Sequence, residues 1–175
     1  MTVRPAVHLV ASRRELARLA AATLDAAMAP PPASLGLALS DDAELAELNA
    51  EHMGEGGPTD VLSFPLLAPA AYPPHLGQDP DLHAGVAPLA TQHSFALPPG
   101  RRLHLGDVVV SVERASAQAR EGAGGHSGDV SWSVRDELRL LVVHGTLHVC
   151  GWDHAHADEE AAMRALERRI LEETE

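Results

Sequence analysis

The stretch Leu138–Val149 is the most apolar run of this chain, and it carries histidines at 144 and 148. A run of that length suits a helix better than a strand. On a helix, residues four apart lie one turn apart on the same face, so the two imidazoles are neighbours. A buried ring left without a partner costs about 1–3 kcal/mol, and here there are two. Gly151 marks where the helix can stop, because glycine takes the left-handed conformation cheaply. The chain can then fold back and bring His154 to the other two. Three imidazoles leave the fourth position of a tetrahedral metal open, which is the catalytic rather than the structural arrangement. The plainer account is that these are hydrogen-bonded core histidines. With 11 histidines in 175 residues, chance alone gives roughly 0.6 pairs at spacing four. The weight rests on the conjunction of pair, glycine stop and Asp153-His154. Cys150 could add a ligand, but a small buried apolar side chain is the simpler reading.

A chain of 175 residues suits one domain, residues 1–175, with a sizeable core. Hydrophobic residues make up 45% but aromatics only 3%, so the core must rest on Leu, Val and Ala. The net charge of −12 argues against a broad basic nucleic-acid surface. No arginine occurs between Leu19 and Gly100 while ten acids do, so only a local basic cleft remains open. One cysteine excludes an intrachain disulfide and fits a reducing compartment. Met1–Val10 lacks a signal-like apolar core, and no apolar run reaches membrane-spanning length. A soluble cytoplasmic protein with no membrane partner is the expectation.

In chain order, Ala6–Val10 reads as a first strand. Ser12 and Glu15 make a capping box for a helix whose core stripe is Leu16, Leu19, Ala20, Leu24 and Met28. Pro30-Pro31-Pro32 ends it. Leu35–Leu39 is a second strand, and Asp41 caps a second helix carrying Leu45 and Leu48. After a loop at Gly54, Gly56, Gly57 and Pro58, Thr59–Phe64 forms a strand. Its Asp60 and Ser63 are turn and edge residues or substrate-facing groups, and the turn reading is favoured. Residues 66–102 form a proline-rich stretch without periodicity. Leu103–Ser111 is a β-branched strand, and Glu113–Glu121 is a short helix. Ser133 caps the histidine helix. Glu137 in its first turn is either a partner of the histidines or a favourable charge for the helix dipole, the simpler role. Ala157–Glu173 is the last helix, with Met163, Leu166 and Ile170 inward. The pattern is α+β, with a small mixed four-stranded sheet and about five helices.

The block from His144 through His148 and Gly151 to Asp153-His154 resembles the signature of the YbeY family of rRNA-maturation endoribonucleases. Leu48-Asn49 with Pro58-Thr59-Asp60-Val61-Leu62-Ser63-Phe64-Pro65 resembles its upstream block. Leu105-Gly106-Asp107-Val108-Val109-Val110-Ser111 resembles a third, and Glu160, Met163 and Glu167 continue the pattern. The similarity runs from about Asn49 to the C-terminus, with the proline-rich stretch as an insertion. It implies a zincin-type metal site in which His144, His148 and His154 bind one Zn2+ per chain. It also implies a single-strand-specific endoribonuclease acting in 16S rRNA 3′-end maturation and ribosome quality control. The partners would be single-stranded RNA and the small ribosomal subunit. The chain departs from the family at Met53, where the aligned position usually carries an arginine. An arginine clamps phosphate bidentately and methionine does not. Arg101, Arg102 and Arg114 are the candidates to replace it.

Two other functions compete. One is another metal hydrolase, a protease first, but the zinc-protease base follows the first histidine directly, and here that residue is Gly145. The other is a ribosome-associated zinc protein with weak or no nuclease activity.

Overall fold

The computed structural model describes residues 1–3, 10–76, 100–121 and 132–175. Its elements are β1 (Thr2–Val3), α1 (Arg13–Ala26), β2 (Ala33–Ser40), α2 (Asp42–Leu48), β3 (Val61–Pro65), β4 (Leu103–Ser111), α3 (Val112–Glu121), α4 (Val134–Val149) and α5 (Ala157–Glu173). The architecture is α+β, with five helices around a mixed sheet. Three strands of ordinary length form that sheet: β2 pairs parallel with β4, and β3 pairs antiparallel with the far side of β4. A two-residue parallel ladder, Thr2 with Ala38 and Val3 with Leu39, extends it beyond β2. The expected count of four is reached only through that ladder, which lies ahead of the strand expected at Ala6–Val10. Positions 4–9 of that expected strand are outside the described residues, and Val10 is a bend.

The run Val108–Val110 explains itself in the sheet. Val108 and Val110 face the main core, while Val109 faces a second cluster with Leu45 and Leu62 beneath α2. A strand covered on both faces needs no polar alternation. Helix α4 lies across β3 and β4 and packs against α1, α3 and α5. Leu138, Val142, Val143, Leu147 and Val149 are all fully buried in it. Only Leu140, His144 and His148 are partly exposed between Leu138 and Val149. Spaced by four, they form one line along the helix. The apolar run is therefore a central helix with a single opening, and the histidines occupy it.

Gly145 sets how closely α4 meets the sheet. A Cβ there would lie 2.7 Å from Val108 Cγ1 and 2.8 Å from Val61 Cγ2. Ser63 Oγ donates to the Gly145 carbonyl at 2.9 Å, tying β3 to the same turn.

Several boundaries differ from expectation. Met28 is exposed rather than core, because α1 ends at Ala26 and Met28 takes a left-handed backbone. Ser12 caps α1 as expected, but the carboxylate of Glu15 is taken by Arg135 on α4, at 2.9 and 2.7 Å. Helix α2 continues into a wider π-type turn, Asn49–Met53, closed by Gly54 at φ 73°. Of the proline-rich stretch, residues 77–99 fall outside the described residues, and Pro69–Ala71 form a short 3-10 turn.

Candidate metal centre

The site begins at the C-terminal end of α4. Gly151, at φ 81°, stops the helix, with its N–H on the His148 carbonyl and that of Trp152 on the Leu147 carbonyl. This paired closure is the Schellman arrangement, and it turns the chain back towards the last turn of the helix. Asp153 Oδ1 accepts from the backbone N–H of His154 at 2.8 Å and fixes the next step of the reversal. His154 then comes to lie beside the two helical imidazoles. The ring centroids are 4.6 Å apart for His144–His148, 5.4 Å for His144–His154 and 5.0 Å for His148–His154.

One ligand atom from each ring lies within 4.8 Å of the others. His144 Nε2 and His148 Nε2 face each other at 3.1 Å. Two nitrogens bound tetrahedrally at about 2.0–2.1 Å would be roughly 3.3 Å apart, so the pair matches a Zn2+-sized ion within a few tenths of an ångström. Without a cation the same two nitrogens can share one hydrogen bond, one donating and the other accepting; with both lone pairs turned inward they can share a metal. The donor set fits a divalent metal.

Glu167 on α5 holds the outer nitrogen of His144, with Oε1 2.8 Å from Nδ1. A proton on Nδ1 leaves Nε2 as the lone-pair atom directed at the cluster, the tautomer a metal requires. Burial pushes the His148 pKa down to about 4, aided by the neighbouring His144 and His154 and opposed by Asp153. His148 is therefore neutral at pH 7 and needs no deprotonation before it can coordinate. Replacing Glu167 by alanine is expected to lower metal affinity by about 10–100-fold, and Glu167→Gln, which keeps an acceptor oxygen, by less. Competition with a chromophoric chelator reads this directly; equal affinity in all three proteins would remove Glu167 from the site.

The other residues weighed from the sequence lie outside the histidine group. Glu137 Oε2 accepts from the Trp132 Nε1–H at 2.5 Å, and the carboxylate on the histidines is Glu167 instead. Glu167 was visible in sequence only as part of a motif, because a contact across 23 residues carries no local signature. Cys150 is fully buried, and desolvation pushes its pKa up to about 12, so it fills the core. Asp60 lines the histidine cleft and also performs the turn role: Oδ1 accepts from the Val61 N–H at 2.8 Å and Oδ2 from Gln118 Nε2 at 2.8 Å. Asn49 likewise holds the glycine loop, donating to the Gly57 carbonyl at 3.0 Å.

His144 and His148 open into a cleft of about 490 Å³, whose walls include Met53, Thr59, Ser63 and Trp152. Met53 is 48% exposed there. Among the described residues no arginine lines this cleft. Arg114 is instead paired with Asp42 at 3.2 Å, and Arg101 and Arg102 are exposed elsewhere.

The family model described as Endoribonuclease YbeY matches residues 6–175. The chain belongs to the YbeY family. Relatives named Endoribonuclease YbeY include one from Dehalococcoides mccartyi strain BAV1, 34% identical over 93% of this chain and 88% of its own. Another, from Thermobifida fusca, is 37% identical over 92% and 84%, and one from Mycolicibacterium smegmatis is 38% identical over 93% and 75%. The fold matches the solution structure of TM1509 from Thermotoga maritima with a TM-score of 0.53 and 20% identity, over 99% of this chain and 87% of that one. YbeY membership reaches further towards the N-terminus than the motifs alone indicated, taking in α1 and β2. Among the described residues, no helix of this YbeY chain is long and apolar enough to cross a membrane.

Proposed function

We propose that this protein is a zinc-dependent endoribonuclease that cleaves single-stranded RNA, with rRNA of the small ribosomal subunit as its substrate in 16S 3′-end maturation and quality control. The observation that carries the reading is the convergence of His144, His148 and His154 at an open cleft, with His144 oriented by Glu167. These three histidines are the proposed ligands of one Zn2+ per chain. Structural zinc sites take four protein ligands; here the group comprises three histidines, and the nearby thiol of Cys150 is buried in the core. Zinc supplies a Lewis acid for charge developing on a phosphate and lowers the pKa of water towards about 7.

The chain's own groups orient and select. Glu167 holds His144 in one tautomer and one rotamer. Thr59 and Ser63 offer hydroxyls along one cleft wall, and Trp152, whose indole is stacked on the His75 ring at 3.9 Å, contributes an apolar edge. Gly145 supplies no side chain to take a proton, which keeps peptide hydrolysis disfavoured.

A second reading, a ribosome-associated zinc protein with weak cleavage, is favoured by Met53 and by the lack of an arginine among the cleft's described residues. One assay separates the two. Purified protein should cleave single-stranded RNA in preference to duplex, and a chelator should stop it. Met53→Arg should raise RNA affinity by about tenfold if phosphate grip is what the methionine lacks. Cleavage that is indifferent to chelator would overturn the zinc mechanism. A metal-loaded wild type that leaves RNA intact, with Met53→Arg equally inert, would establish the second reading.

A further inference from the structure

A second cavity, of about 350 Å³, lies between the start of α1, the start of α4 and the end of α5. Three arginines line it: Arg18, Arg135 and Arg139. Arg139 lies nine residues before His148, about 13 Å along α4 and on its opposite side, so this cavity is separate from the histidine cleft. We propose that it binds a phosphate-class oxyanion, seated on Arg139 and Arg18.

The argument starts from the burial of Arg139, which is only 5% exposed. A guanidinium stays charged at every physiological pH, so it cannot escape burial by losing a proton. One terminal nitrogen is used on the last turn of α5, donating to the Leu171 carbonyl at 3.0 Å and to Thr174 Oγ1 at 3.1 Å. Those contacts cap the helix, and its negative end offsets part of the charge. They leave Nε enclosed with no hydrogen-bond partner, so that atom is not itself open to a ligand, while the residue still lines the cavity. Among the described residues no carboxylate is paired with Arg139.

The surrounding acids do not complete it. Glu15 is already held by Arg135 through two nitrogens, at 2.9 and 2.7 Å. Glu175 lies at the exposed rim and makes no ion pair with Arg18 or Arg139. Among the described residues, Arg18 makes one hydrogen bond, a long one of 3.4 Å from Nε to the Arg14 carbonyl. Arg18 is exposed, and among the described residues no carboxylate pairs with it, so its guanidinium can turn inward. The Ser12 cap of α1 forms another wall of the same cavity. A helix start adds a favourable potential for an anion beside the two guanidinium groups. A tetrahedral oxyanion with several acceptors suits two forked donors better than a single-point halide does.

The test is calorimetric titration of the full-length protein with inorganic phosphate at constant ionic strength, with chloride as the balancing anion. Wild type should bind one phosphate saturably. Arg18→Gln, a surface change, should weaken binding by at least about tenfold, the worth of one charge-assisted hydrogen bond. Arg139→Met, which keeps the apolar stem, should abolish it, whereas Met53→Arg in the other cleft should leave it unchanged. Glu175→Gln should tighten binding; weaker binding would mean that the rim carboxylate helps to build the site, against the proposal. Adenosine monophosphate in a parallel titration distinguishes the source of the phosphate. Tighter binding than inorganic phosphate, lost in Arg18→Gln, identifies a nucleotide phosphate, and equal or weaker binding lost in the same variant identifies the free anion. If Arg139→Met does not fold, Arg18→Gln decides alone. Phosphate binding that is absent in wild type, or unchanged in Arg18→Gln, would overturn the site.

Discussion

Replacing His148 by alanine is expected to empty the metal centre and reduce RNA cleavage by roughly three orders of magnitude. The size follows from the several kcal/mol of transition-state stabilisation that a catalytic metal supplies, at about 1.36 kcal/mol per decade. His148 sits on the last turn of α4, faces His144 Nε2 at 3.1 Å, and is kept neutral by burial. The variant should retain its fold, because His148 lies on the partly exposed line of α4 rather than among its buried leucines and valines. Metal analysis should fall from about one equivalent to near zero, and chelator-treated wild type should match the variant's residual rate. Full metal content and undiminished cleavage in His148→Ala would remove the histidine cluster from the chemistry.

The second large effect is on stability, at Gly145. A side chain there must begin 2.7 Å from Val108 Cγ1, 2.8 Å from Val61 Cγ2 and 3.2 Å from Ser63 Oγ. Valine adds two methyl groups beyond that Cβ, inside a helix pressed on two strands. Overpacking of this kind costs about 1–3 kcal/mol or more. At about 2–4 °C per kcal/mol for a chain of this size, Gly145→Val should lower the melting temperature by up to about 12 °C. His144 is the adjacent residue, so lifting α4 from the sheet should also weaken metal binding. Gly56→Ala is the control, since nothing lies within 4 Å of a Cβ there. A Gly145→Val protein that melts with wild type would mean the helix is not held as closely as the geometry requires.

The contrast between these sites and the rest of the chain shows what sequence could carry. Ser133, Asp41 and Ser12 announced three helix starts because caps are local chemistry, read over three residues. The Gly151 stop and the His144–His148 pair were legible for the same reason. Glu167 was not, because its partner is on another helix; Glu137 was a candidate partner because it shares a helix with His144, with the dipole role the simpler reading. The π-type turn at Asn49–Met53 carried no local mark, and it is what sets Met53 at the cleft. Met28 looked like core because helical periodicity does not state where the helix ends. Arg139 read as one basic residue among many until packing enclosed it.

Cys150 sits two residues from a proposed ligand, yet it is fully enclosed and its thiol is pushed up to about 12. At pH 7 the thiol therefore stays protonated, whereas the thiolate is the form that attacks maleimides, peroxides and other thiols. The folded chain, which has no other cysteine, therefore behaves towards such reagents as though it had none. A cysteine introduced on the exposed surface could carry a fluorophore or spin label selectively in the native protein, while the buried thiol beside the histidines stays unmodified.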